Sequence, residues 1–175
     1  STRTLDVPRE AVATVLADPR SYDGIVVGSR RIRWFDPNWP APGARFHHTL
    51  GFGPVMIPDH SEVVAEDLPH HLRLLVHLRP VGRAQVVFRL KAQGSERTRV
   101  EITETPTAGP LALAWSPPLA ALTRWRNDRV LARLEEVAAG RAEAMARATA
   151  SGSPEATDRP RPAMAPDAGR GAPRA

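Results

Sequence analysis

The sequence predicts an α+β fold, a curved seven-stranded antiparallel sheet wrapped on one long C-terminal helix, with two short helices between the first and second strands. Three observations predict it. Six runs between residues 31 and 104 alternate apolar and polar side chains at the strand period. The turns between them are too short for a parallel crossover, so each run lies antiparallel to the next. From residue 117 the pattern changes to one long helical stretch.

The elements follow in order. Ser1 to Val7 alternates weakly, as a first strand would, and Pro8 stands where proline is best tolerated, at the opening of a helix. Val12, Val15 and Leu16 continue at helical spacing until Asp18-Pro19, because the residue before a proline is pushed out of the α region. A second short helix runs through Tyr22. Strands are predicted at Arg31 to Phe35, Arg45 to Leu50, Val55 to Ala65, His71 to Arg79, Ala84 to Lys91 and Arg99 to Glu104. Turn chemistry separates the later ones: Pro40-Ala41-Pro42-Gly43, Gly51-Phe52-Gly53-Pro54, Asp67-Leu68-Pro69, Pro80-Val81-Gly82 and Gln93-Gly94-Ser95.

Leu72, Leu74, Val76 and Leu78 share one face of their strand, and Val86, Phe88 and Leu90 repeat the pattern on the next. This apolar face needs a cover. Ser116 and Pro117 are suited to start a helix running at least to Ala139, with Leu119, Leu122, Val130, Leu134 and Val137 as its apolar stripe. At about 1.5 Å per residue such a helix is more than about 30 Å long. Laid on the concave side of a curved sheet, it encloses space, so a cavity is a consequence of the arrangement.

Composition narrows the function. The chain has 175 residues, 42% hydrophobic and 25% charged, with 24 basic side chains against 19 acidic ones and no cysteine. That excludes a disulfide framework, a thiolate metal site and a cysteine nucleophile, and a cytoplasmic location is expected. No apolar run approaches a membrane span, and residues 1–30 lack the layout of a signal peptide. The net charge of +5 does not by itself indicate nucleic acid: arginines are scattered, aromatics are 5% of residues, and no DNA or RNA motif is present. Residues 150–175 are expected to be a disordered tail on a domain spanning 1–149. From Ser151 onward they hold five prolines, three glycines and Met164 as the only large apolar side chain.

Several short motifs carry a family resemblance. They are Asp6-Val7-Pro8 with Val12, Val15-Leu16-Ala17-Asp18-Pro19 followed by Tyr22, and Trp39-Pro40-Ala41-Pro42-Gly43 before Phe46. Thr98-Arg99-Val100, Gly109-Pro110 and Arg126-Asn127 complete the set. Over residues 1–138 the chain resembles the polyketide cyclase/dehydrase branch of the START-like (SRPBCC) superfamily, whose fold is the helix-grip. One departure is Ile25, where relatives often carry tryptophan. The resemblance implies a cavity for an apolar molecule; some members are cyclases, aromatases or dehydratases, and many only bind.

Candidate site residues follow from period two. With Ile32, Val63 and Val100 inward, Trp34, Asp59, Ser61 and Glu104 share their face, and Phe46 brings His48. Leu74, Val76 and Phe88 on the sheet, Leu122 and Arg126 on the helix, and Trp115 near its start complete the expected lining. His48 beside Asp59 is the candidate acid/base pair, since histidine titrates near neutrality and a carboxylate can orient its ring. The other reading of His48 is one satisfied hydrogen bond near a strand end. Asp59 and Ser61 line a wet cavity, or a one-residue slip sends both to solvent. Arg126 either snorkels to water or reaches the cavity and pairs with Glu104, Asp59 or a ligand oxygen. The neighbours His47-His48 and His70-His71 point to opposite faces of their strands, so neither pair chelates one ion, and no metal or cofactor is expected.

The expected function is binding of a small hydrophobic or aromatic molecule in the internal cavity. The alternative is a polyketide cyclase, aromatase or dehydratase using the same cavity, with His48 shuttling protons, Asp59 orienting it and Arg126 or Ser61 holding a carbonyl oxygen. A third class is an accessory protein whose outer basic strand face and C-terminal tail contact an acidic partner. No nucleic-acid partner is expected, and the oligomeric state is left open.

Overall fold

The computed structural model describes residues 1–26, 29–52 and 55–151. Strand β1 (Thr2–Leu5) leads into helix α1 (Arg9–Ala17), a 3-10 turn (Pro19–Ser21) and the short helix α2 (Tyr22–Ile25). Six strands follow: β2 (Ser29–Phe35), β3 (Arg45–Phe52), β4 (Val55–Asp67), β5 (His71–Leu78), β6 (Gly82–Ala92) and β7 (Thr98–Ala108). The chain closes with α3 (Pro110–Leu113) and the long α4 (Pro117–Ser151). All seven strands form one antiparallel sheet in the order β1-β7-β6-β5-β4-β3-β2.

Local chemistry explains the early helices. Pro8 occupies the N-cap of α1, and Asp18, in an extended conformation, ends it. The Asp18 carboxylate then accepts from the amide of Arg20 at 3.0 Å and from Arg141 of α4 at 2.9 Å, so the residue that stops one helix also ties it to another. The inner face of α1, with Val12, Val15 and Leu16 fully buried, packs against α4.

Each predicted strand is present, and most run a few residues further than their alternation alone shows. The turn expected at Gly51 to Pro54 includes residues 53 and 54, outside the described residues. At the far end of the sheet the turn before β6 presses on the end of β7. A Cβ at Gly82, whose φ is +138°, would sit 2.0 Å from the Ala108 carbonyl oxygen, so the two backbones meet only because this residue is glycine.

Helix α4 covers the sheet with the C-terminal part of the expected stripe: Val130 and Leu134 are buried and Val137 packs against the core. Asn127, Leu131 and Ala138 complete the buried face, whereas Leu122 is 59% exposed. The expected stripe advanced by steps of four from Leu122 to Val130, and each such step drifts about 40° around a helix of 3.6 residues per turn. Leu122 and Leu131, nine residues apart, therefore lie on opposite sides. The helix continues to Ser151 and so takes in the first two residues of the tail expected over 150–175; the rest of that segment lies outside the described residues. Among the described residues no helix is long and apolar enough to cross a membrane.

Candidate ligand-binding site

A cavity lies between the inner face of the sheet and α4. Its sheet wall is apolar: Phe46, Leu74, Val76, Val86, Phe88 and Ile102. The register makes that wall continuous, since Ser61 pairs with Val76, Leu74 with Val86 and Phe88 with Ile102. Helix α4 contributes Arg126, Asn127 and Val130. The cavity volume is about 80 Å³, several times the roughly 15 Å³ that one water requires.

One end is closed by an aromatic cluster. Tyr22 packs with its ring centroid 4.8 Å from Phe46 and 5.8 Å from Trp39. Its hydroxyl donates to the Leu16 carbonyl at 3.0 Å, which satisfies a buried polar group, and burial pushes the phenol's pKa up. Tyr22 is thus a protonated, fully occupied wall.

The polar atoms concentrate at two places. At the first, Arg126 donates through Nη2 to the Glu104 carboxylate, which stands beside Val86 on the inner face, and to Asn127 Oδ1 at 3.3 Å. The Nε of Arg126 is buried with no acceptor. At the second, His48 is 4% exposed, and its Nδ1 has no hydrogen-bond partner. Desolvation drives its pKa down to about 4, with Asp59 opposing that shift and His60, His47 and Arg33 adding to it. The ring is therefore neutral at pH 7. Ser61 is buried and shares the cavity with it.

Asp59 is directly opposite His48 in the register, as the inward reading required. It is not the orienting partner. Its Oδ2 accepts from the Arg79 amide at 2.7 Å and its Oδ1 from the His60 amide at 2.9 Å, and it does not line the cavity. Each Asp59 oxygen is hydrogen-bonded to a backbone amide and His48 Nδ1 has no partner, so the two side chains are not joined as the expected acid/base pair.

The fold has known counterparts. No protein-family model and no curated protein matches the sequence. Solved structures do match: a conserved protein from Geobacillus kaustophilus at 20% identity covers 79% of this chain and 93% of its own, with a TM-score of 0.62. A START superfamily protein from Mycobacterium smegmatis, 13% identical, covers 83% of this chain and 96% of its own at a TM-score of 0.59. The Zhui aromatase/cyclase from a Streptomyces species, 20% identical, covers 85% and 94% at 0.56. The chain has a START-like fold.

Within this START-like frame, Phe46, His48, Ser61, Leu74, Val76, Phe88, Glu104 and Arg126 of the candidate residues line the cavity. Four expected residues do not: Asp59, whose carboxylate is held by the Arg79 and His60 amides, and Trp34, Trp115 and Leu122. Trp34 is 52% exposed, because a β-bulge between Ile32 and Trp34 reverses the alternation of β2. It pairs with His47 and stacks on that ring at 4.1 Å, on the outer face, where His47, His60 and His77 continue the row. Trp115 is 39% exposed in the connection before α4, and Leu122 faces away from the sheet. The cavity is also lined by Leu78, Val86 and Val130, expected only as part of the apolar faces, and by Tyr22, Val26, Ile102 and Asn127, which were not among the candidates. The signal for Asn127 was available, since a residue three before Val130 and seven before Leu134 lies on their face. Among the described residues no cluster of three metal-ligating side chains occurs.

Proposed function

We propose that the protein binds a compact, largely apolar molecule in the cavity between the sheet and α4. The carrying observation is the pair of buried, unpartnered nitrogens, His48 Nδ1 and Arg126 Nε, on residues lining an otherwise apolar cavity. An orphaned buried polar atom costs free energy until something pairs with it. A ligand with an apolar body and oxygen atoms toward these two groups would supply both partners. Arg126 would donate to a carbonyl, phenolic or carboxylate oxygen, and a neutral His48 would accept from or donate to a hydroxyl.

Binding is favoured over the cyclase, aromatase or dehydratase reading by the state of His48. An imidazole with a pKa of about 4 and no carboxylate on its Nδ1 is a weak proton acceptor at neutral pH. The likeness to an aromatase/cyclase concerns the fold, and chemistry on a fold is decided by its site.

Native mass spectrometry of freshly purified protein, followed by denaturing extraction, tests the reading. An apolar small molecule should co-purify and be released on unfolding. Arg126→Leu should weaken its rebinding about tenfold, the loss of one charge-assisted hydrogen bond of about 1.5 kcal/mol. Unchanged affinity together with raised stability would mean that Arg126 only fills space. A protein that arrives empty and takes up no hydrophobic probe dye would remove the cavity function altogether.

A further inference from the structure

We propose that the outer face of the sheet carries a second site, a basic groove across β5, β6 and β7 that binds a soluble polyphosphate group. The groove is lined by Arg73 on β5, Arg89 and Lys91 on β6 and Arg99 on β7, with His71 and Glu101 among them. The register arranges them in rows: Arg73 opposite Val87, Arg89 between His71 and Glu101, and Lys91 opposite Arg99. With about 3.3 Å per residue along a strand and about 4.8 Å between strands, the cations span about 13 Å by about 10 Å.

Two observations point to an anion there. Lys91 and Arg99 stand directly opposite each other on the same face, an arrangement in which like charges destabilise a sheet. Among the described residues neither has an acidic partner, and neither does Arg73, whose Nε is buried without an acceptor. The single carboxylate in the groove, Glu101, lies 3.6 Å from Arg89. A group carrying several negative charges close together would offset the repulsion between Lys91 and Arg99 and give Arg73 its missing partner. Arginine matches phosphate oxygens with its planar fork and lysine adds a point charge, so linked phosphates suit the set.

The choice of a soluble polyphosphate over a nucleic-acid strand rests on the lining. No tryptophan, tyrosine or phenylalanine borders the groove, so bases would have no such ring to stack on. The groove is also on the opposite side of the sheet from the cavity, so the two sites are separate in their residues.

Titration calorimetry of the full chain with sodium tripolyphosphate, at low and at physiological ionic strength, tests the proposal. Saturable one-to-one binding is expected, weakened at least tenfold in the double variant Lys91→Gln/Arg99→Gln. The same variant should melt at or above the temperature of the parent, because the cross-strand repulsion is gone, and should still carry any co-purifying cavity ligand. Arg124→Gln/Arg133→Gln, which removes two exposed cations from α4, should bind tripolyphosphate as the parent does. An equal loss in that control would reduce the effect to diffuse charge and overturn the site. So would the absence of saturation below millimolar concentrations, or tighter binding of a single-stranded oligonucleotide that tripolyphosphate displaces.

Discussion

Lowering the pH from 7 to 5 should cost the folded protein about 2 kcal/mol through His48 alone, and about 3 kcal/mol by pH 4. The folded ring holds its proton only below about 4, whereas an unfolded chain titrates near the ordinary 6.5. Between those values the unfolded state binds more protons, so stability rises with pH across the window and falls on acidification. Above pH 6.5 the contribution is fully present. His60 and His47 act in the same direction: desolvation lowers both, and for His60 the neighbouring His77 and His47 come next. His60 and His77 stack at 4.0 Å, so protonating both would place two charges side by side. Urea unfolding at pH 7 and pH 5, with His48→Gln alongside the parent, measures the effect. The variant should be markedly less sensitive to acid, and an identical pH dependence in the two proteins would show that His48 is not the group responsible.

Leu131→Ala should destabilise the protein by about 2–5 kcal/mol, while Leu122→Ala should change stability by no more than about 0.5 kcal/mol. Both are leucines on the same helix, and the contrast comes from which way they face. Leu131 is fully buried in the core cluster with Leu134, Ala138 and the α1 residues Val12, Val15 and Leu16. Removing its side chain loses the transfer energy of the buried carbons and leaves a cavity that rigid neighbours only partly fill. Leu122 is already mostly in water, and alanine is the better helix former. Thermal melts of the two variants separate the cases directly. Equal losses would mean that α4 does not turn Leu131 into the core and Leu122 to solvent.

Where the structure departs from the sequence pattern, the causes are local. Counting in twos from Ile32 points Trp34 inward, and one extra residue in β2 reverses the count. The tryptophan then found an aromatic neighbour outside, His47, where counting in twos placed it beside His48. Asp59 stands opposite His48 in the register, yet its partners are the amides of His60 and of Arg79, the latter 20 residues away just past the end of β5. Nothing in the spacing of His48 and Asp59 distinguishes a carboxylate that orients an imidazole from one that caps a strand end.

Strand number, antiparallel order and the presence of a covering helix were all determined by the sequence alone, because each depends on local quantities. Side-chain period, turn residues and the length of the connections are readable over a dozen residues at a time. The meeting of Glu104 with Arg126 was a choice among several partners until the fold existed, and the rotation of α4 and the isolation of His48 from Asp59 were decided only there. These depend on where a long helix crosses a curved sheet and on which backbone amides reach a buried carboxylate, shifts of a few ångströms that alter which polar atoms meet without altering the pattern of apolar residues that builds the fold.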